Sequence, residues 1–345
     1  MNWLNFHAPG AVAGMVRNGS LTDHHPVKKA PRSKPVDHDW TALMSNETTL
    51  LKDEAVVAES LSDPAWIRIR DLIYQVSGIY QAENKFYLLV SRATRRMKVV
   101  GARTPREYLD FLTARPNRDS EMRNLLNEIT IGETCLFRSL PQIDALRKVV
   151  IPSLAEAKKK MAFTKLRFWS AGCSTGEESY TLAMILLEET QGSLKGWTFE
   201  VMATDLNDRS VAKAQEGVYN DYAVRNVPPE FMKKYFTKVG SDFHVADTVK
   251  THITFSRLNM LDDSKMLFMR GLDVIFCCNV LIYFDGKSKT RTIQHFYNAL
   301  MPNGYFFLGH SESLFGISEK FRLVHFPGAT AYWKSGEPTS KAGTP

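Results

Sequence analysis

FWSAGCSTGEESYTLAMIL, residues 168–186, begins as an unbroken apolar run and ends as an amphipathic helix. Between the two lies a turn of small residues, Ala171 to Gly176, followed at once by Glu177 and Glu178. Tyr180, Ala183, Met184 and Leu187 fall at i, i+3, i+4 and i+7, the spacing of a helix that lays one apolar face on a sheet. A buried strand, a glycine-bearing turn and such a helix make the opening unit of a parallel α/β fold.

In a parallel sheet, ligands bind beyond the carboxyl ends of the strands, and this turn lies at one of them. Gly172 and Gly176 are expected to let backbone approach the ligand closely. The turn is not a phosphate loop. Its glycines are too close for G-x-x-x-x-G-K-[ST], no lysine follows, and G-x-G-x-x-G is absent. Glu177 and Glu178 put negative charge where a pyrophosphate would rest, and they already satisfy the anion preference of a helix N-terminus. The pattern selects a phosphate-free nucleoside bearing positive charge. S-adenosylmethionine, with its sulfonium and ammonium, has that chemistry. Asp205 closes the next apolar run, FEVMATD, where doubly wound folds keep their ribose-hydroxyl acceptor. Its other reading is a helix cap, a duty that Asn207 or Asp208 can also take.

Outward from this unit the rhythm continues. LRFWSAG, FEVMATD, ITFSRLN, LDVIFCCNVLIYF, GYFFLGH, RLVHF and ATAYWK are short β-rich runs, and SYTLAMILLEE, DRSVAKAQEG and KSKTRTIQHFYNALM are helical stretches between them. This predicts a doubly wound, Rossmann-like sheet over residues 161–337. Residues 217–256 interrupt it and are expected to hold an inserted helix and a short hairpin. Residues 48–160 read as a helical domain, with Ser62-Asp63-Pro64 and Thr104-Pro105-Arg106-Glu107 as helix starts. Residues 1–47, with Pro26, Pro31 and Pro35 among basic and polar residues, are expected to be disordered, and residues 338–345 flexible. Gly309-His310-Ser311-Glu312-Ser313 nearly matches a hydrolase nucleophile elbow but lacks its final glycine. It reads as a strand end and loop near the sheet edge.

Composition bounds the function class. In 345 residues, 44% hydrophobic and 23% charged content is ordinary for a soluble protein, and the net charge of +7 favours an acidic partner surface. Cys277 and Cys278 are adjacent and cannot pair with each other. No Cys/His spacing suggests zinc, so no metal is expected and a reducing cytoplasm fits. No apolar run approaches the roughly 20 residues of a membrane span, and the N-terminus lacks a signal-peptide pattern.

WSAGCSTGEESYTLAM, ATDLN, CNVLIYF and FFLGHSESL, in that order and preceded by ITIGETCLFR, resemble the bacterial chemotaxis receptor methyltransferases, the CheR family, over residues 55–335. The resemblance implies a small N-terminal helical domain, a Rossmann-like methyltransferase domain and a small inserted β subdomain. It implies transfer of a methyl from S-adenosylmethionine to glutamate side chains on the cytoplasmic helices of chemoreceptors, leaving S-adenosylhomocysteine. By position it assigns cofactor contacts to Thr134, Arg138, Glu177, Asp205, Asn259, Met260, Cys278 and Asn279, and catalytic roles to Arg138 and Tyr283.

A glutamate carboxylate is already ionised near neutral pH and needs no general base. The task left to the protein is alignment. Substrate docking has its own candidate in ENKFYLLVSRATRRMKVV, where Lys85, Arg92, Arg95 and Arg96 ride one predicted helix, with 85, 92 and 96 on one face. Such a face would steer glutamate-rich receptor helices. Nucleic acid is not expected as a partner, since stacking aromatics are few and no nucleic-acid module is present.

Two departures from the family pattern stand out. Gly132 replaces a frequent asparagine, and Cys278 replaces a frequent arginine. The inserted region TKVGSDFHVADTVKTH is short, so the protein is not expected to depend on a receptor C-terminal pentapeptide. The alternatives to a receptor methyltransferase are a non-catalytic, cofactor-sensing adaptor of the same fold and a methyltransferase acting on another substrate.

Overall fold

The computed structural model describes residues 63–130, 132–160 and 162–336. The expectations for residues 1–47 and 338–345, and for the start of the helical domain before Asp63, lie outside these residues.

The chain enters through helix α1 (Pro64–Ser77), with Pro64 at its first position and the Asp63 carboxylate accepting from Ala65 N. Helices α2 (Phe86–Val100), α3 (Pro105–Thr113) and α4 (Arg118–Ile129) follow. Thr104 caps α3 by accepting from Glu107 N, and Glu107 reaches back to Arg103 N. The four helices bury Trp66, Ile69, Ile73, Leu89, Tyr108 and Leu125 in a core of their own.

Helices α5 (Leu140–Ala145) and α6 (Ile151–Lys159), joined by a π-helical turn, pack differently. Ile143, Val150, Ile151 and Leu154 share a core with strand residues Leu166 and Phe168, and Lys158 pairs with buried Asp273 at 2.7 Å. These two helices therefore belong to the sheet's packing. A division at residue 160, drawn where the β-rich texture begins, places them with the wrong core.

The sheet has seven strands in the order β6-β2-β1-β7-β8-β10-β9. They are β1 (Lys165–Ala171), β2 (Thr198–Asp205), β6 (Ile253–Arg257), β7 (Leu272–Cys277), β8 (Leu300–Leu308), β9 (Arg322–Phe326) and β10 (Ala329–Trp333). The first five are parallel, and β9 and β10 close one edge as an antiparallel pair. Successive residues of β1 face opposite layers: Leu166 and Phe168 meet helix α7 (Glu177–Gln191), while Trp169 and Ala171 meet the layer that contains Phe296. Both faces are covered, which is why these strands read as continuous apolar runs.

After α8 (Asp208–Glu216) the inserted segment forms a three-stranded antiparallel sheet of β3 (Val218–Tyr219), β4 (Phe236–Val239) and β5 (Asp242–Val245), with helix α9 (Pro229–Tyr235) leading into it. Ile253–Arg257 pairs with β2 in the main sheet, so the insertion ends before residue 253 rather than at 256. Helix α10 (Gly286–Ala299) covers the far face through Ile293 and Phe296.

The helical core is docked on the sheet at several points. Tyr80 N donates to Tyr283 O at 2.9 Å, Tyr74 Oη to Asp285 at 3.0 Å, and Asn259 Nδ2 to Val76 O at 2.6 Å. Asn207 Nδ2 donates to Asn127 O and Thr130 Oγ1. The described residues thus place the helical layer beside the carboxyl ends of β2 and β7.

Candidate active site

The turn after β1 is held by the end of β2. Gly172 N and Cys173 N both donate to Thr204 O, at 2.8 and 2.9 Å, and Ser174 N donates to Asp205 Oδ2 at 2.8 Å. Gly172 and Gly176 have φ of +80° and +97°, the left-handed region that favours glycine. Their neighbours are protein atoms. A β-carbon at 172 would lie 2.5 Å from Val280, and one at 176 would lie 2.9 Å from Ala214. Chain reversal and close packing are each enough to require glycine at both positions.

Asp205 closes β2 with its Oδ1 accepting from Asn207 N at 2.8 Å. Asn207, not Asp205, caps α8 by accepting from Arg209 N and Ser210 N. Of the two readings of Asp205, the cap is thus removed and its carboxylate faces the turn. Burial raises its pKa, against the backbone N–H groups that lower it. Glu177 is buried at the first position of α7, with both carboxylate oxygens accepting from Thr175 Oγ1. Burial raises its pKa as well. The Cys173 thiol, pushed up by burial and then by Asp205, Glu178 and Glu177, registers how much negative charge surrounds this turn.

Glu178 turns the other way. Its Oε1 accepts from Ser170 Oγ at 2.7 Å. Desolvation pushes its pKa up to about 7, while Ser170, Cys278 and Arg138 act to lower it. Cys278 also approaches Gln142 Oε1 at 3.9 Å, and burial holds its thiol well up in pKa, so it stays protonated. Beside it, Asn279 adopts φ +62°. Its N donates to Glu312 Oε2 at 2.6 Å, and Gly309 N donates to the same oxygen at 2.8 Å. One carboxylate thereby joins the turns that follow β7 and β8.

The GETCLFR segment is fixed from two sides. Phe137 N donates to Thr181 Oγ1 of α7 and Leu136 N to Ala223 O of the insertion. Thr134 is half-buried, and Arg138 is exposed with Nη1 donating to Glu133 O at 2.9 Å. Tyr283 is 46% exposed in a 3-10 turn after β7. Asn259 follows Leu258, whose N donates to Asp205 O, and its side chain is engaged with Val76 O and Leu261 N. Met260 is buried in the core layer with Trp169 and Leu258.

The docking helix needs two corrections: Lys85 ends a 3-10 turn (Glu83–Lys85) ahead of α2, and Arg96 is withdrawn from the surface. Arg96 is buried, with Nε and Nη2 donating to the two Glu121 oxygens at 3.0 and 2.7 Å, and Tyr108 Oη donating to the same carboxylate. It is a core ion pair, not part of an open basic face. Lys85 and Arg95 are exposed, and Arg95 lies 3.4 Å from Glu128. Arg92 is half-buried, donates to Ile129 O, and lies near enough to Tyr283 to be influenced by its ring hydroxyl.

Ser174, Glu178 and Glu312 are the residues that sequence reasoning did not assign. Glu178 appears there only as charge. Glu312 sits in the stretch read as an edge loop, but β8 is an interior strand and Glu312 reaches the turn after β7. No local signal announces a contact 33 residues apart.

Two buried atoms bear on what the site holds. Ser174 Oγ and Glu312 Oε1 are closed to solvent without a hydrogen-bond partner among the described residues. Such atoms are costly unless something pairs with them. Carboxylates gathered at a turn that carries no phosphate-binding lysine fit a nucleoside with a cationic centre, and so fit S-adenosylmethionine.

Comparison with known proteins gives a consistent result. Residues 132–329 match the family described as CheR methyltransferase, SAM binding domain, and residues 64–130 match CheR methyltransferase, all-alpha domain. The chain is 30% identical to chemotaxis protein methyltransferase 2 of Vibrio cholerae, over 79% of this chain and 94% of that one. It is 33% identical to the chemotaxis protein methyltransferase of Borreliella burgdorferi, over 72% of this chain and 88% of that one. With the Escherichia coli chemotaxis protein methyltransferase the identity is 32%, over 85% and 98%.

Proposed function

The chain belongs to the CheR methyltransferase family, and from that premise we propose that it moves a methyl group from S-adenosylmethionine to glutamate side chains on the cytoplasmic helices of chemoreceptors. The observation that carries this reading is the cluster of enclosed carboxylates at the ends of β1 and β2, on a turn with no phosphate-binding signature.

When bound, S-adenosylmethionine supplies a methyl activated by sulfonium charge. Asp205, free of capping duty, would accept from the ribose hydroxyls. Glu177 and its helix turn would meet the cationic end, and Thr134, Asn259, Met260, Cys278 and Asn279 would border the nucleoside. Arg138, exposed and hydrogen-bonded through Nη1 to Glu133 O, can turn its guanidinium onto a carboxylate in a two-pronged contact. Tyr283 would orient the incoming glutamate from the mouth of the site. No side chain has to remove a proton, because the substrate carboxylate is ionised near neutral pH.

Lys85, Arg92 and Arg95 would steer the acidic receptor helix toward Tyr283. A cytoplasmic location follows from that substrate, and among the described residues no helix is long and apolar enough to cross a membrane. The four-residue strands β4 and β5, joined at Gly240-Ser241, motivate the further proposal that a receptor C-terminal pentapeptide is not required. Saturable binding of an NWETF-type peptide would contradict that part.

The test is to incubate the purified full chain with methyl-labelled S-adenosylmethionine and a receptor cytoplasmic fragment. Label should enter the fragment and leave as volatile methanol in alkali, as a glutamyl ester requires, and Arg138→Ala should abolish transfer. Cofactor binding without any transfer would favour the adaptor reading instead.

A further inference from the structure

At Gly132 there is no room for a side chain, because a polar group of the turn after β1 fills that space. A β-carbon at position 132 would lie 2.0 Å from Ser174 Oγ and 2.8 Å from Ser174 Cβ. The serine hydroxyl and the missing side chain compete for one volume. Ser174 has φ +50°, a left-handed conformation that is strained for a residue with a β-carbon. Its N–H is committed to Asp205 Oδ2, while its Oγ is closed to solvent and lacks a partner among the described residues. Strain and an unpaired hydroxyl in one residue, beside a ribose-binding carboxylate, are expected where the native partner is a ligand.

We propose that Ser174 Oγ, which occupies the space a side chain at position 132 would fill, is a cofactor-binding group that donates its hydrogen bond to an oxygen of the bound S-adenosyl compound. This rests on the cofactor reading above. The acceptor is either a ribose hydroxyl or the amino-acid carboxylate of the same molecule.

The experiment titrates the full chain with S-adenosylhomocysteine and with 5′-methylthioadenosine, which keeps the ribose and lacks the amino acid. Ser174→Ala should weaken S-adenosylhomocysteine binding by about five- to tenfold, the worth of one neutral hydrogen bond. A parallel loss with 5′-methylthioadenosine assigns the contact to the ribose; a loss confined to S-adenosylhomocysteine assigns it to the carboxylate. Ser174→Gly should bind as weakly while its ligand-free melting temperature stays at or above the wild-type value, because glycine relieves the left-handed strain. Gly132→Asn alone should weaken binding by clashing with Ser174, and Gly132→Asn with Ser174→Gly should recover it.

Wild-type affinity in Ser174→Ala overturns the inference and leaves the cofactor reading standing. So does a Ser174→Gly protein that loses affinity only in step with a fall of several degrees in melting temperature. A wild-type chain that binds neither compound overturns both.

Discussion

At the scale of single residues, buried charge decides what each group can do. Arg96 and Glu121 form a two-pronged pair sealed with Tyr108, so removing one partner strands the other. Glu121→Ala is expected to cost about 3–5 kcal/mol, read as a lower urea midpoint. Arg96→Ala should act through the same loss of folding and not through salt-sensitive docking. Glu178 gives a pH signature. Its carboxyl is raised from an ordinary 4.5 to about 7 by burial, so between those values the unfolded chain releases a proton that the folded chain keeps. Its contribution to stability therefore falls as pH rises across that window and is level above it. The melting temperature of Glu178→Gln minus that of wild type should increase from pH 5 to pH 7.5. A constant difference would show that the carboxyl titrates normally. Neither residue's burial is legible in the sequence. Arg96 shares a predicted helix face with Lys85 and Arg92, and its partner lies 25 residues away on another helix.

At the scale of elements, the alternation of β-rich and helical runs carried the architecture. All seven sheet strands lie on the apolar runs named from sequence, and the interior strands β1 and β7, buried along nearly their whole length, have no polar alternation to blur them. A boundary at residue 160 misplaces helices α5 and α6, because an amphipathic helix does not announce which core it packs on. The turn after β1 is similar: its glycines stand out in the sequence, but their packing against Val280 and Ala214, distant along the chain, does not. Gly172→Ala combines a left-handed φ with a 2.5 Å approach to Val280. It should destabilise the protein by about 2 kcal/mol or more, measured as a lower denaturation midpoint. Because Val280 follows Asn279, the same substitution should also weaken S-adenosylhomocysteine binding.

At the scale of the whole molecule, the helical layer is fixed to the sheet beside the candidate site, and Arg92 of α2 lies within electrostatic reach of Tyr283. Lys85→Glu with Arg95→Glu should raise KM for a receptor fragment at low salt, and the difference from wild type should shrink at high ionic strength. An equal effect at all salt concentrations would argue against steering. All of this depends on what the crevice at the ends of β1 and β2 accepts, and calorimetry asks that directly. The wild-type chain should bind S-adenosylhomocysteine saturably at one site, Asp205→Ala should bind it about tenfold or more weakly, and ATP should give no binding heat. Saturable binding of ATP, or no binding of S-adenosylhomocysteine, would contradict the account.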